Sequence, residues 1–467
     1  MTQAIPARLA PLAVLAVLAS VTLPSLAQTG EPQSPVAGAI APGQEEDYKV
    51  YTEHPRLFLN ARRLKMLRRE RERTSIRWQQ FETLVAGKAR MNEPGMASAL
   101  YYKIANSESA ANDAIQWALG PTTDLRQIAI VFDWCQDRLT EAQLKQMADK
   151  LRRLAALSKG ADISSVRART LAAVVLAGHA SDDSEARIKE IVTGWWRKTI
   201  VPGLRAGKPV IPFEEVYPLF EMLHAIRDNT NIELRDEAPK YFQQLPSFHL
   251  HAHYPATYPA PENEFRIPFY TGDGEPDAYL AALSRAAEFA MVAYDTNAQE
   301  NQFLQGWLIH DRFLMRGAFG IVYEFLWANP YQPGLSFYHL PVVFHDPVSG
   351  ALLVRDTWEE DANWFGLVNG KAQLFKGGTR KDIKDGLDGE LQLGPALILF
   401  GKNAYKFALN NEAKETVFLV GLKPGGRYDI EVDGEEMQEH KADSGGVIEL
   451  QFPPSQEIGV RIKDAGK

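Results

Sequence analysis

Pro212-Phe213-Glu214-Glu215-Val216-Tyr217-Pro218-Leu219-Phe220-Glu221-Met222-Leu223-His224-Ala225-Ile226-Arg227-Asp228-Asn229-Thr230 gathers ionisable groups at what its pattern predicts to be a helix start. Proline suits a first helical turn, where its missing N–H costs nothing, and Pro218 biases Tyr217 towards an extended conformation. Tyr217 is therefore expected at the helix entrance. There the positive end of the helix dipole and the unpaired N–H groups favour an anion, whether a tyrosinate, the carboxylate of Glu214 or Glu215, or an acidic ligand. Behind it, Leu219, Phe220, Met222, Leu223 and Ile226 supply a buried face, while Glu221, His224 and Asp228 fall on another stripe. Two readings stand side by side: a phenol placed for proton transfer, or a Tyr217 that caps a core helix with His224 as a hydrogen-bonded interior histidine.

Outward from this helix the texture is helical on both sides. Towards the N-terminus, Asn60 is placed to cap a helix through the basic run Arg62 to Arg73, a run that reads as a solvated helix face. Helical periods recur over 76–91, 97–105, 110–119 and 124–139. Thr140-Glu141-Ala142-Gln143 fits a capping box, and Ser164 or Ser165 is placed to cap a helix to Ala177. Periods at 185–198, 232–248, 277–294 and 297–326 bring the total to roughly a dozen helices with no strand before Leu340 and no fixed-length repeat. A closed ring of helical hairpins is therefore expected rather than a solenoid.

Past Leu340, alternating or β-branched runs appear at 351–354, 364–368, 416–420, 427–432, 447–452 and 458–462, separated by turn pairs such as Asn369-Gly370 and Asp433-Gly434. The expected fold class is α+β with several domains: an incomplete α/α toroid at 53–335, followed by a small antiparallel β-sandwich or β-sheet domain at 336–467. Asn329-Pro330-Tyr331-Gln332-Pro333-Gly334, which cannot continue a helix, marks the boundary.

The first residues read differently. Arg8, the apolar run Leu9 to Leu23 and Ser25-Leu26-Ala27 have the zones of a signal peptide at 1–27, followed by a flexible leader at 28–52. Export to the periplasm or medium, without stable membrane insertion, is expected. Removing Arg8 leaves 50 basic residues against 59 acidic ones, a formal charge of −9. That balance argues against a nucleic-acid partner, though a local basic cluster remains compatible with an acidic polysaccharide. Cys135 is the only cysteine, so no intrachain disulfide forms and a packed core must carry stability.

Several constellations carry possible chemistry. His249, His251 and His253 alternate, and on an extended segment they would point to one side and suit zinc or copper, against a reading as ordinary polar packing. The polar stretch from Asp295 to Arg312 contains Asn301, Gln305, Trp307 and His310, side chains that grip sugars by hydrogen bonds and stacking, or that serve helix contacts within a ring. Trp358-Glu359-Glu360-Asp361 offers neighbouring acids for glycoside hydrolysis, and Asp382 to Gly389 only superficially resembles a calcium loop.

His54-Pro55-Arg56-Leu57-Phe58, Phe132-Asp133-Trp134-Cys135-Gln136-Asp137-Arg138-Leu139-Thr140, and the segment from Ser349-Gly350 through Val354-Arg355-Asp356-Thr357-Trp358 to Gly370 together resemble the heparinase II/III-like polysaccharide lyases. The resemblance implies an incomplete toroid with a β domain, and β-elimination on an acidic polysaccharide or oligosaccharide without a required cofactor. It places Glu214-Glu215-Val216-Tyr217 on the family's acidic segment ending in tyrosine, which makes Tyr217 the candidate base or acid. Chemistry alone offers Arg227, His251, His253 and His310 for the group that offsets the growing charge on the sugar carboxylate; His224 joins Tyr217, Arg227 and His310 as catalytic candidates, and Glu214, Glu215, Asn301, Gln305 and Trp307 are the substrate-binding ones. His249, His251 and His253 are candidates for a structural zinc. Two departures from the family stand out: Ser164-Ser165-Val166 replaces an Asn-His pair, and Lys371-Ala372-Gln373-Leu374-Phe375 replaces a His-x-His after Gly370. A glycan-binding protein without catalysis and a glycoside hydrolase on a toroid are the alternative functions.

Overall fold

A computed structural model describes residues 46–256, 266–270, 278–311, 317–318, 320–387, 389–409, 415–452 and 455–465. The expected signal peptide, most of the leader, Arg312 and Asp388 lie outside the described residues. The helices are α1 (Ala61–Glu72), α2 (Ile76–Ala86), α3 (Pro94–Ala105), α4 (Glu108–Leu119), α5 (Leu125–Trp134), α6 (Glu141–Leu157), α7 (Ile163–Leu176), α8 (Ser184–Lys189), α9 (Val201–Arg205), α10 (Val216–Asn229), α11 (Pro239–Ala252), α12 (Ala278–Tyr294), α13 (Gln299–His310) and α14 (Ile321–Trp327). A π-helical stretch, Glu190–Ile200, joins α8 to α9.

Local chemistry sets many of these boundaries. The Asn60 side chain accepts from Arg63 N, Asp124 accepts from Gln127 N, and Thr140 with Gln143 completes the capping box, each satisfying an N–H that the helix leaves unpaired. The cap of α7 is Asp162, which accepts from Ser165 N, rather than Ser164 or Ser165. Pro218 lies inside the first turn of α10, so Tyr217 is helical and not extended. The expected helix over 297–326 is two helices, α13 and α14.

Alternate helices α3, α5, α7, α10, α12 and α14 pack side by side into an inner ring, which α2 and α1 close between α14 and α3. Helices α4, α6, α8, α11 and α13 lie outside it, each packed on inner neighbours. The N-terminal ends of α3, α5, α7, α10 and α14 come together. Residues near the N-terminal ends of these helices, Arg126, Arg167, Tyr217 and Tyr323, meet at one end. At the other end, Arg56 Nη1 donates to Val174 O and Ala177 O at the close of α7, and Asn229 at the close of α10 donates to Arg56 O. A helix buried on all sides has no polar stripe to show, and all ten residues of α5 are buried.

The segment before α1 plugs the C-terminal end of the ring. Asp133 Oδ1 accepts from Arg56 N at 2.8 Å, and Oδ2 from Leu57 N at 2.7 Å. Leu57, Phe58 and Leu59 are buried behind it, each stabilising the fold by roughly 2 kcal/mol of apolar burial. The ring is thus plugged at one end, and its other end, the mouth, lies where the inner helices begin and where Glu93 and Arg167 keep contact with solvent.

Thirteen described strands follow in three sheets. The first is an antiparallel meander of β1 (Val343–Asp346), β2 (Ala351–Arg355), β3 (Trp364–Val368), β4 (Lys371–Lys376) and β5 (Thr379–Ile383). The rest are β6 (Leu391–Leu393), β7 (Ala396–Phe400), β8 (Ala404–Leu409), β9 (Glu415–Val420), β10 (Arg427–Val432), β11 (Gln438–Lys441), β12 (Ile448–Phe452) and β13 (Ser455–Asp464). They form a middle sheet, ordered β12-β9-β7-β6, and an outer one, ordered β11-β10-β13-β8. All pairings are antiparallel except β7 with β9.

One face of the first sheet, with Leu352, Val354, Phe365 and Leu367, packs on Ile398 and Phe418 of the middle sheet. Its other face, with Leu353, Trp364, Val368 and Phe375, packs on Ala252, Tyr254 and Ile267 of the helical part. Covered on both faces, β2 and β3 are buried at every position.

Candidate functional site

At the mouth of the ring, one residue from each of several inner helices meets its neighbours in an ionic hub. Arg126, from the first turn of α5, donates from Nη1 to Glu93 Oε1 at 2.5 Å, from Nη2 to Glu221 Oε1 at 2.5 Å and from Nε to Glu221 Oε2 at 2.8 Å. Arg167 of α7 donates to Glu221 Oε2 at 2.7 Å. Two phenols complete the hub: Tyr217 donates to Glu221 Oε1 at 2.7 Å and Tyr323 to Glu93 Oε1 at 2.6 Å, their rings 4.7 Å apart. Trp327 Nε1 donates to the Tyr217 oxygen at 3.1 Å, and Arg63 stacks on that indole.

Burial grades across the hub. The Glu221 side chain is fully buried, whereas Glu93 and Arg167 keep 16% and 14% of theirs exposed, so those two form its edge towards solvent. Glu93 Oε2 and Arg167 Nε are buried without a hydrogen-bond partner. Burial alone would raise the Glu221 carboxyl, but the two guanidiniums outweigh it and hold it below the usual range. Glu93 goes the other way, because burial raises it more than Arg126 lowers it. Burial, with the neighbouring carboxylates, pushes the Tyr217 and Tyr323 phenols well above their ordinary values, so both are proton donors at neutral pH.

Of the residues expected from sequence, Tyr217 alone belongs to the hub. His224 lies two turns further along α10, with Nε2 at 3.1 Å from Ala290 O and its ring on Trp327; burial lowers its pKa to about 4, so it is a neutral interior histidine. Arg227 is deeper still, paired with Asp228, donating to Tyr294 O and stacked on the Tyr294 ring. His310 ends α13 in solvent contact beside Phe337 and Tyr338.

Glu214 is exposed, and Glu215 accepts from Ser164 N at 2.7 Å and from its hydroxyl, which anchors the first turn of α7. Asn301 donates to Met291 O and Asp295 O, and Gln305 to Asn329 O and Gln332 O, so these amides serve helix contacts rather than an open groove. Trp307 is buried under Arg285 and against His253. In the acidic turn, Glu360 pairs with Arg266 at 3.0 Å, while Glu359 and Asp361 are exposed.

The three histidines are not on an extended segment. Helix α11 continues to Ala252, so His249 and His253 share a face towards Glu288, at 3.6 and 3.4 Å, while His251 turns to Ser247 O and Pro341 O. Among the described residues no group of three histidine, cysteine or acidic side chains is placed to hold a metal ion. None of the described helices is long and apolar enough to cross a membrane.

Sequence reasoning missed Glu93, Arg126, Arg167, Tyr323 and Trp327, and placed Glu221 on the helix without a role. The usable signal was Arg126, a lone cation at the start of the run Leu125-Arg126-Gln127-Ile128-Ala129-Ile130-Val131-Phe132, which is apolar apart from it and Gln127. Buried cations need a carboxylate, so this one implied an acid from elsewhere in the chain.

No protein-family profile and no curated protein matches the chain. Among solved structures, it is similar to one titled a glycoside hydrolase, at 10% identity over 79% of this chain and 71% of that one with a TM-score of 0.29. It is also similar to a GH127 beta-arabinofuranosidase, at 8% identity over 90% of this chain and 80% of that one with a TM-score of 0.27. At these scores the function has to be read from the hub's own geometry.

Proposed function

We propose that the chain is a carbohydrate-active protein that takes an acidic glycan at the mouth of the ring and cleaves it with the Glu93–Glu221 pair. The observation that carries this reading is that one guanidinium, Arg126, holds both carboxyls on adjacent nitrogens while their surroundings displace them in opposite directions. Glycoside hydrolysis requires one carboxyl that keeps a proton for the leaving oxygen and one that is ionised. Glu93, at the edge towards solvent, suits the first role and Glu221, ionised between two guanidiniums, the second: Glu93 protonates the glycosidic oxygen as its bond to the anomeric carbon breaks, the buried Glu221 carboxylate supplies fixed negative charge beneath the sugar, and the attacking water releases its proton to solvent. Arg167 and the converging helix N-termini supply positive charge for the acid group of the sugar. Export, read from residues 1–27, belongs to the same proposal.

A second reading, β-elimination through Tyr217, is favoured by the bond from the phenol to Glu221, which gives the phenol an acceptor for its own proton. It needs Tyr217 to take up a proton, and the raised pKa works against that only if the phenol acts alone. Incubating the full chain with alginate, pectate, heparin-type and chondroitin-type polymers separates the readings. New reducing ends without unsaturation support hydrolysis, unsaturated ends support elimination, and affinity without either product supports a binding protein.

A further inference from the structure

At the plugged end of the ring, away from the hub, two histidines from different segments face each other. His54 stands on the plug before α1 and His179 in the turn after α7, and their Nε2 atoms lie 3.4 Å apart. Asp133 Oδ1, on a fully buried side chain, holds His54 Nδ1 at 2.5 Å. That contact assigns the proton of the neutral His54 ring to Nδ1 and leaves a lone pair on Nε2. Gln136, in the turn after α5, places its amide nitrogen 3.1 Å from His179 Nε2. An N–H donated there leaves His179 with a lone pair on Nε2 as well. The buried Phe132 ring meets both imidazoles edge to face, with centroids 6.1 and 5.0 Å away, and fixes their approach.

Two lone pairs that face each other repel unless a cation lies between them. Two nitrogens bound to one tetrahedral zinc ion, each at about 2.0–2.1 Å, are about 3.3–3.4 Å apart, which matches this pair. The contact of His54 with Asp133 is also the arrangement that metal-bound histidines show: the far nitrogen donates to a carboxylate, which fixes the ring and raises its basicity. Imidazole suits zinc, copper and nickel, whereas calcium and magnesium take oxygen ligands. Both rings keep contact with solvent, His54 with 11% of its side chain exposed, so an ion reaches them without opening the core. The charges nearby are occupied: Arg56 and Arg152 donate to backbone carbonyls, and Asp133 and Asp182 accept from backbone N–H groups.

We propose that His54 and His179 bind an exchangeable zinc-class divalent cation through their Nε2 atoms, with water and the Gln136 side-chain oxygen, after a turn of that amide, in the remaining positions. With two imidazoles and no acidic ligand the site is a clip. It ties the plug to the end of α7, a seam that Arg56 already holds through Val174 O and Ala177 O. The site is independent of the hub and of the reading of the chain as glycan-directed.

The test is calorimetric titration of zinc into the untagged full chain, with thermal denaturation and limited proteolysis in parallel. One saturable zinc site is expected, with Tm raised by about 2 °C at saturation and no response to magnesium. Zinc is also expected to slow cleavage near Leu57 several-fold, because the clip holds the plug. His179→Gln is expected to weaken zinc binding by about tenfold or more and to cancel both effects. Its metal-free Tm should stay within about 1 °C of wild type, since His179 lies at the surface. Proteolysis of wild type with and without zinc uses no variant, so the proposal stays testable if His179→Gln does not fold. The proposal is overturned if no saturable zinc site is found, if zinc leaves cleavage near Leu57 unchanged, or if zinc binds His179→Gln as tightly as wild type. That last result would place the ion on exposed histidines elsewhere, such as His310 or His339.

Discussion

Tyr217 donates its phenolic proton to Glu221 one turn along the same helix, at 2.7 Å, and Glu221 is held on its other sides by Arg126 and Arg167. The phenol and the carboxylate therefore act as one unit. Tyr217→Phe removes a hydrogen bond to a charged group and should cost about 2 kcal/mol in urea unfolding. Under the hydrolytic reading it should lower turnover by less than tenfold, since Glu221 stays ionised by its two guanidiniums. Loss of all turnover with binding retained would move the chemistry to Tyr217.

Glu221→Ala leaves two guanidiniums facing each other in a buried hub. The expected loss is about 4 kcal/mol of stability, seen as a marked fall in Tm, because breaking a buried pair costs more than the pair is worth. Adding Arg167→Met to that variant should recover part of the loss; no recovery would mean that Arg167 and Glu221 are not coupled.

Acid should destabilise the fold well above the carboxylate range. Burial lowers His224, His251 and His253 to about 4 from 6.5, so between those values the unfolded chain binds more protons than the folded one. Their contribution is complete above about pH 6.5 and is lost as pH falls towards 4, at on the order of 1 kcal/mol per pH unit for each histidine. Denaturation midpoints should be level from about pH 7.5 to about 6.5 on this account and fall steadily from there to about pH 5, and His224→Asn should make that slope shallower. A flat profile over that range would contradict the burial of these rings.

At the plugged end of the ring, Asp133 accepts from two backbone N–H groups and faces His54 Nδ1 at 2.5 Å. Asp133→Ala should cost about 3 kcal/mol, since it leaves buried donors unpaired, and should expose the plug to proteolysis near Leu57. Cleavage resistance equal to wild type would argue that the plug is held by its apolar side chains alone.

The fold was legible where one face of an element meets water. The Asn60 cap, the capping box at Thr140 and the part-exposed strands β10 and β12 show this, while β2, β3 and β9, packed on both faces, were legible only as short apolar or β-branched runs between turn signals. Strand β7, Ala396-Leu397-Ile398-Leu399-Phe400, shows no alternation, because it lies in the middle sheet and packs on the first sheet with one face and on the outer sheet with the other. The histidines misled for a related reason: alternation at 249, 251 and 253 is equally a helix face plus one outlier, and only contact with Glu288 on α12 distinguishes the two. The hub was legible in part. Tyr217 and Glu221 stand in one stretch, but Arg126 is 95 residues away from Glu221 and Glu93 a further 33, and no local period reports a contact made by ring closure. Arg227 and His310 were chosen for their chemistry, and the helical rise separates the first from the mouth while the end of α13 carries the second to the surface.

The most direct test of the central claim is a paired product assay on an acidic glycan that the full chain turns over, following reducing ends and the ultraviolet signal of a C4–C5 double bond together, for wild type and Glu93→Gln. The account predicts reducing ends without unsaturation in wild type and a loss of at least about a hundredfold in Glu93→Gln, the range expected when a positioned acid is removed. Unsaturated product, or a Glu93→Gln variant as fast as wild type, would contradict it.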